Sequence, residues 1–567
     1  MTQSPSLRLV LAMLMLLVLG ASACGEQGGQ QADGTAQAST AGNDVNPVAR
    51  AQLQDGGTLR WPLDYLPSNF NIHHLDGRDF NTEEIINALM PQAFSFNAAG
   101  QPLRNADLLE SAEVTAREPM QITYRINPNA VWSDGTPITW VDFEAQWRAL
   151  NGTNPAFNIA SSNAYDQIER VTQGAGAHEV VVTFRQPFVD WEQLFVPLYP
   201  ASTNADPAVF NGGWIERPLV TAGPFRVDNV DRTAQTITLV RSERWWGNPA
   251  KLDRIIFRAL EDDVTADALA NDEIDFIRIR SNVNTLQRAQ ATPGVEIRGA
   301  AAPSFNHITL NGMSGALQDV RVRQAIAMGI NRQAIVDALL GPLGVPTTTL
   351  DNHLFMTNQV GYQDNASELG RYDPQRAAAM LDEAGWRLEG GVRKQDGQEL
   401  RVRMVIPAQA EVPQQIAELV QGMLGQIGIR LIIEAVPGAA FFDRYITPGN
   451  YDLSPFGWAG TPFPISANRA IYTNPRLGPD GELDIQLNYA RTGSAQIDRL
   501  FQQAISELDP QRAIALANQI DALIWSEVHS LTLFQAPELV AVKRTLANFG
   551  ARGFASVIYE DIGFPQA

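Results

Sequence analysis

A single cysteine, Cys24, is all that this 567-residue chain has for cross-linking itself. One chain can therefore form no internal disulfide and no zinc or iron–sulfur site built from cysteines. Whatever fold it adopts must be held by burial. At about 150 residues per domain, the length provides for three to four domains or one large multi-lobed body. With 45% apolar and 18% charged residues the chain has the composition of an ordinary globular protein. Its 42 Lys and Arg against 62 Asp and Glu give a net charge of −20. That charge repels polyanions at long range, so nucleic acid is not expected as a partner.

The position of Cys24 carries a second constraint. After Arg8, residues Leu9 to Ala21 form an apolar run, followed by Ser22 and Ala23. The run is shorter than the roughly 20 residues needed to span a bilayer. A charged start, a short apolar stretch and small residues before a break describe an export signal over residues 1–23. With the cysteine at the cut, the segment resembles a bacterial lipoprotein signal, although Ala21 stands where Leu is usual. Residues 24–57 then read as a lipidated Cys24 and a flexible tether. The stretch from Gly25 to Gly57 is rich in Gly, Gln, Ala and Ser and too poor in large apolar residues to fold by itself. As a coil it would reach on the order of 30 Å from a membrane.

Beyond Thr58 the hydrophobic pattern changes period repeatedly. Ile122, Tyr124 and Ile126 alternate with polar neighbours, as do Ile237 and Leu239, and Val180 to Phe184 reads as a more buried strand. Thr139 followed by Asp142 predicts a capping-box start for a helix from Trp140 to Leu150. Asp373-Pro374 and Asp509-Pro510 each place a cap before proline at the first helical position, and Gly385 closes the first of these two helices. Strands and helices mixed over some 500 residues, with no short repeat, predict α/β lobes.

Motifs of catalysis are lacking: there is no Gly-x-Ser-x-Gly elbow, no phosphate loop and no His-Glu-x-x-His zinc helix. Of the six histidines only His73 and His74 are neighbours, and successive residues of an extended segment point opposite ways. No enzyme, cofactor or metal centre is expected.

A series of segments in a particular order is more informative. Val131-Trp132-Ser133-Asp134-Gly135-Thr136-Pro137 comes first, then Thr221-Ala222-Gly223-Pro224-Phe225, Glu243-Arg244-Trp245-Trp246-Gly247-Asn248, and Asp319-Val320-Arg321 leading to Asn331-Arg332-Gln333. Tyr372-Asp373-Pro374 through Gly385-Trp386, and Tyr451-Asp452 before Gly457-Trp458, complete it. Over roughly residues 58–567 this resembles the family 5 solute-binding proteins of oligopeptide, dipeptide and nickel ABC importers, here as an actinobacterial lipoprotein. Read from the residues alone, most of these pieces are turns, caps and breaks that hold a fold.

The resemblance implies a two-lobed α/β fold of the periplasmic-binding-protein type (class II, cluster C), closing like a hinge on its ligand. Lobe I would comprise residues 58–305 with 532–567, including an extra subdomain at about 96–217, and lobe II residues 306–531. The implied function is capture of a peptide or peptide-like solute for ABC permease subunits and their ATPases, by a monomer anchored at the outer face of the cytoplasmic membrane. The alternative is a lipoprotein of the same fold acting in envelope glycolipid biogenesis or signalling. Ligand contacts are expected from Trp458, Ala459, Thr461 and Phe463 of the implied cleft loop, from His74 and Asn306, and from Arg444 as a carboxylate binder. Peptide-binding relatives typically carry Asp where this chain has Thr461, which removes the usual anchor for a free amino terminus.

Overall fold

The computed structural model describes residues 42–478 and 481–566. The expected signal peptide, Cys24 and the first part of the expected tether lie outside the described residues. Two large sheets organise the rest. The first has the strand order Thr58–Leu63, Arg254–Ala259, Thr236–Arg241, Phe225–Asp231, with the first two parallel and the others antiparallel. The second has six strands in the order Phe276–Arg278, Ser530–Lys543, Val295–Leu310, Leu453–Ala459, Arg401–Pro407, Arg430–Val436.

Two members of the second sheet tie the molecule together. Val295–Leu310 has 16 residues and Ser530–Lys543 has 14, and they pair antiparallel from Val295 against Lys543 to Thr309 against Ser530. Both feed two separate apolar cores. Ala300, Val540 and Val542 pack with Trp61, Phe257 and Phe276. Ile308, Leu310, Leu531 and Leu533 pack instead with Val322, Ile326 and Leu424. Val295, Leu539 and Ala541 also belong to the second core, so residues of the two cores alternate along this part of the pair, and the pairing slips between Ala301 and Phe305 and again between Asn306 and His307.

Local signals act as the sequence predicts. The strand Met120–Ile126 buries Met120, Ile122, Tyr124 and Ile126 and belongs to a separate four-stranded antiparallel sheet with Leu109–Arg117, Glu179–Phe184 and Ile168–Gln173. Thr139 N donates to Asp142 Oδ2 at 2.9 Å, closing the capping box of the helix Trp140–Leu150. Asp373 accepts from Arg376 N at 2.8 Å and Asp509 from Arg512 N at 3.0 Å, each starting a helix with proline in its first turn. Gly223 is required by close approach, since a Cβ there would stand 2.5 Å from Ala88 O.

The expected tether ends earlier than its composition suggests. Asp44 N donates to Ala551 O at 2.7 Å and Val48 N to Asn548 Oδ1 at 2.8 Å, while Arg50 pairs with Asp561 at 2.6 Å. Leu53 is fully buried. Residues 44–57 are thus fastened to the C-terminal segment, and the flexible reading is corrected over that stretch. A segment that cannot bury its own surface can still be held by backbone hydrogen bonds to a distant part of the chain.

Candidate functional site

The strand Leu453–Ala459 has one finished edge and one open edge. On the finished side it pairs with the long strand from Leu453 against Leu310 to Ala459 against Ser304. Asn311 N donates to Asp452 O at 2.8 Å and Gly460 N to Pro303 O at 2.8 Å, which fixes the phase of this antiparallel ladder. With hydrogen bonds recurring every second residue, Phe456 and Trp458 bond to His307 and Phe305, while the main chain of Gly457 and Ala459 points to the opposite edge. There the neighbouring strand Arg401–Pro407 pairs only at Met404 with Leu453, helped by Ser454 Oγ donating to Val405 O at 2.8 Å. Beyond that point the edge has no partner strand among the described residues, and Gly457 and Ala459 are exposed.

Gly457 is not required by its surroundings. A Cβ there would meet only Phe305 O at 3.5 Å and Asn306 Oδ1 at 3.9 Å, ordinary contacts. Asn306 faces Gly457 across the ladder, and its side-chain amide is half-buried with no hydrogen-bond partner among the described residues. The bare residue and the unspent amide therefore stand together beside the open edge.

The other face of the same ladder is an aromatic wall. Trp458 stacks on Tyr489 with ring centroids 5.8 Å apart at 6° and on His307 at 6.2 Å and 17°. Phe456 meets His307 edge-on at 4.4 Å and Phe442 at 5.5 Å. Such offset and edge contacts satisfy the ring quadrupoles and make the wall stiff. Phe442 and its neighbours lie on a π-helical turn, Phe441–Ile446, a geometry frequent at functional sites. His307 is 2% exposed, and its Nδ1 has no partner among the described residues. Burial, reinforced by the positive potential of His353, pushes the His307 imidazole down to about 3, so the ring is neutral.

The residues predicted from sequence divide into two groups. Trp458, Ala459 and Asn306 meet at the ladder just described. Thr461 lies in the loop that follows, where Thr461 Oγ1 accepts from Phe463 N at 3.1 Å and Thr461 O from Gln359 Nε2 at 2.8 Å. Phe463 is 8% exposed and packs edge-on against Phe96 at 5.5 Å, which places its ring in an internal contact. His74 is buried elsewhere: its Nδ1 accepts from Asp76 N at 3.1 Å and its backbone bridges to Ile159, roles that fasten a loop. Arg444 is exposed on the π-helical turn and forms no ion pair among the described residues.

The ligand contacts expected from sequence did not include His307, Phe456, Tyr489 or Gly457, although Gly457 stands in the Gly-Trp segment that carries the resemblance. Phe456 and Gly457 were within reach, as immediate neighbours of Trp458. His307 and Tyr489 are 151 and 31 positions away from Trp458 and carry no local signal of the contact. A cavity of about 290 Å³ also lies between residues 43–50 and 548–561, with none of the predicted site residues in its lining. Its charged groups are already spent, Arg50 on Asp561 and Arg552 near Glu84 at 3.9 Å.

Comparison with known proteins agrees with this architecture. The model of bacterial extracellular solute-binding proteins, family 5 (middle region), matches residues 105–476. The oligopeptide-binding protein OppA of Mycobacterium tuberculosis is 42% identical over 526 residues, which is 92% of this chain and 87% of that one. The probable monoacyl phosphatidylinositol tetramannoside-binding protein LpqW of the same species is 30% identical over 272 residues, 47% of this chain and 42% of the relative. Among solved structures, the periplasmic EDTA-binding protein EppA superposes with a TM-score of 0.83 at 25% identity, covering 93% of this chain and 98% of that one. A two-lobed α/β body tied by two long strands, with a family match over most of its length, means that this chain belongs to family 5 of the bacterial extracellular solute-binding proteins.

Proposed function

We propose that the protein captures a peptide or peptide-like solute and delivers it to an ABC importer. The observation that carries this reading is the open edge of the strand Leu453–Ala459 at Gly457 and Ala459. An extended peptide can add itself to such an edge, its main chain supplying the missing hydrogen bonds and its side chains falling alternately to either side. The half-buried Asn306 amide, both donor and acceptor, suits a peptide group, and Trp458 with Tyr489 offers a flat apolar wall. Likeness to OppA over 92% of the chain supports the importer reading, whereas the glycolipid reading draws on a relative that aligns with 47% of it.

In this proposal lobe I comprises residues 58–305 and 532–567 with its subdomain at 96–217, lobe II comprises 306–531, and the solute is held where they meet. Cys24 anchors the exported monomer by lipid, and permease subunits receive the cargo. With Thr461 where relatives carry Asp, the cargo's amino terminus is not fixed by an acid in this loop.

Gly457→Val tests the site. The added side chain fits the fold but fills the space beside the open edge, so thermal stability should stay within the range of a surface change while affinity falls at least about tenfold, or ~1.4 kcal/mol. Cargo identified by mass spectrometry of the natively purified protein, or otherwise a set of tri-, penta- and nonapeptides, serves as the calorimetric probe. Unchanged affinity in a folded variant would place the solute elsewhere.

A further inference from the structure

The two slips in the long strand pair lie beside the open edge, and prolines account for the first of them. A proline has no N–H to give to a ladder and is tolerated in sheets at edges and bulges. Pro303 stands on one strand and Pro537 on the other. Between the pairs Ala301 with Pro537 and Phe305 with Gln535, residues Ala302, Pro303 and Ser304 face only Ala536. The second slip leaves Leu533 without a place in the ladder, between Asn306 with Phe534 and His307 with Thr532. Phe305 and Asn306 therefore form an island of pairing between two irregularities. Slips of this kind re-aim side chains, so the direction of Asn306 depends on how the flanks of the island are held.

Both flanks are held by the segment 350–359. Leu350 N donates to Leu533 O at 3.0 Å. At the other flank the contacts converge on the carboxamide of Gln535, a residue only 9% exposed. Its Nε2 donates to Ala302 O at 2.8 Å and to Asn358 Oδ1 at 3.0 Å. Its Oε1 accepts from Thr357 N at 3.0 Å and from Thr357 Oγ1 at 2.5 Å. A carboxamide has two donors and two acceptor sites, so this one is saturated. It takes up the carbonyl that the interrupted ladder leaves at Ala302. Asn306, next to the residue that faces Gln535, keeps its own amide unspent among the described residues.

We propose that Gln535 is a positioning residue for solute: by bracing the gap at 302–304 it holds the Asn306 amide where a main-chain peptide group of the bound solute exchanges hydrogen bonds with it. The inference rests on the reading that solute adds to the edge at Gly457. Asn306 touches the solute, and Gln535 acts through Asn306. An amide fixed before binding loses little freedom on binding, which is how a residue out of reach of the solute contributes to affinity.

A double-mutant cycle on the full chain tests this, read by calorimetry with the co-purified cargo or else with the tightest binder among the tri-, penta- and nonapeptides. Gln535→Met keeps the length of the side chain and deletes its hydrogen bonds, and should weaken binding about tenfold, as should Asn306→Ala. The double variant should bind within roughly twofold of Asn306→Ala alone, because a misplaced amide and a missing one cost the same. Stoichiometry separates unfolding, which lowers the number of sites, from a lost contact, which lowers the affinity of each. Should Gln535→Met fail to fold, Thr357→Val removes only the Oγ1 hydrogen bond, and its loss of about threefold should vanish in the Asn306→Ala background. Losses that multiply in the double variant, or unchanged affinity in a folded single variant at 535 or 357, would overturn the positioning role. Gly457→Val keeps the two readings apart. If it weakens binding while the losses at 535 and 306 multiply, the solute site stands and only the role of Gln535 falls; if it leaves affinity unchanged, both fall.

Discussion

His353 and His307 are both buried, and the protein treats them in opposite ways. His353 is fully enclosed, its Nδ1 2.7 Å from Asp521 Oδ1 and its Nε2 3.1 Å from Ser530 O. Asp521 also accepts from His353 N at 2.8 Å and Asn365 Nδ2 at 2.8 Å. Both ring nitrogens and both carboxylate oxygens of this pair are spent, although Trp525 Nε1, on an indole 4.8 Å from the His353 ring, has no partner among the described residues. His307, among the aromatic rings beside the open strand edge, keeps a buried Nδ1 with no partner among the described residues, and nearby Asn306 keeps a free amide. In a folded protein buried polar groups are nearly all paired, so unspent ones need a reason. By that criterion of saturation the His353 pair belongs to the scaffold and the edge beside His307 and Asn306 is the candidate site, although other unpaired buried atoms, such as Trp214 Nε1 and Trp525 Nε1, lie away from that edge.

The sharpest way to break this contrast is to remove one member of each region. Asp521→Ala strands a buried imidazole and two donors, and should cost about 3–5 kcal/mol of stability. His307→Phe deletes an unpaired polar atom from an aromatic setting, and should change stability by less than about 1 kcal/mol in either direction. Urea titration of both variants reads the difference. Equal costs would mean that the two histidines serve the scaffold alike.

How much of this was readable from sequence follows the same division. The capped helices at Thr139, Asp373 and Asp509 and the alternating strands were legible, because their causes lie within a few residues. The open edge was not, because it depends on a neighbouring strand that stops pairing at Met404. His74 reads as a polar loop residue, and only the fold shows it fastened to Asp76 and Ile159. Likewise the stretch from Asp44 to Leu53 has a tether's composition, and its order comes from partners some 500 positions away, such as Asn548 and Ala551.

A smaller effect separates the wall from the scaffold. Trp458 touches Tyr489, His307 and Phe456 yet remains half-buried, so part of its surface is available to a solute. Trp458→Ala should weaken peptide binding by roughly 1 to 3 kcal/mol, the range for an aromatic anchor. Calorimetry with the same peptides on the native and variant proteins measures it. If stability falls and affinity does not, Trp458 belongs with His353 on the scaffold side.

Thr461 lies on the border between the two regions, and its substitution should give the smallest change. Its hydroxyl is spent on Phe463 N and its carbonyl on Gln359 Nε2, so by the criterion of saturation it is scaffold. Asp in its place can accept from the same N–H two residues on, as aspartate does in its own turns, and the loop should survive. One carboxylate oxygen would then be committed and the other left facing outward. For a peptide with a free amino terminus, a half-exposed charge pair of this kind should add no more than about 1 kcal/mol, and added salt should erase the gain. The N-acetylated form of the same peptide should gain nothing. A larger, salt-resistant gain for the free amine would show that Thr461 occupies a desolvated anchor point, and would move the loop from scaffold to site. No difference between the two peptides would leave the strand edge at Gly457 and Ala459, with the wall behind it, as the part of the molecule that recognises solute.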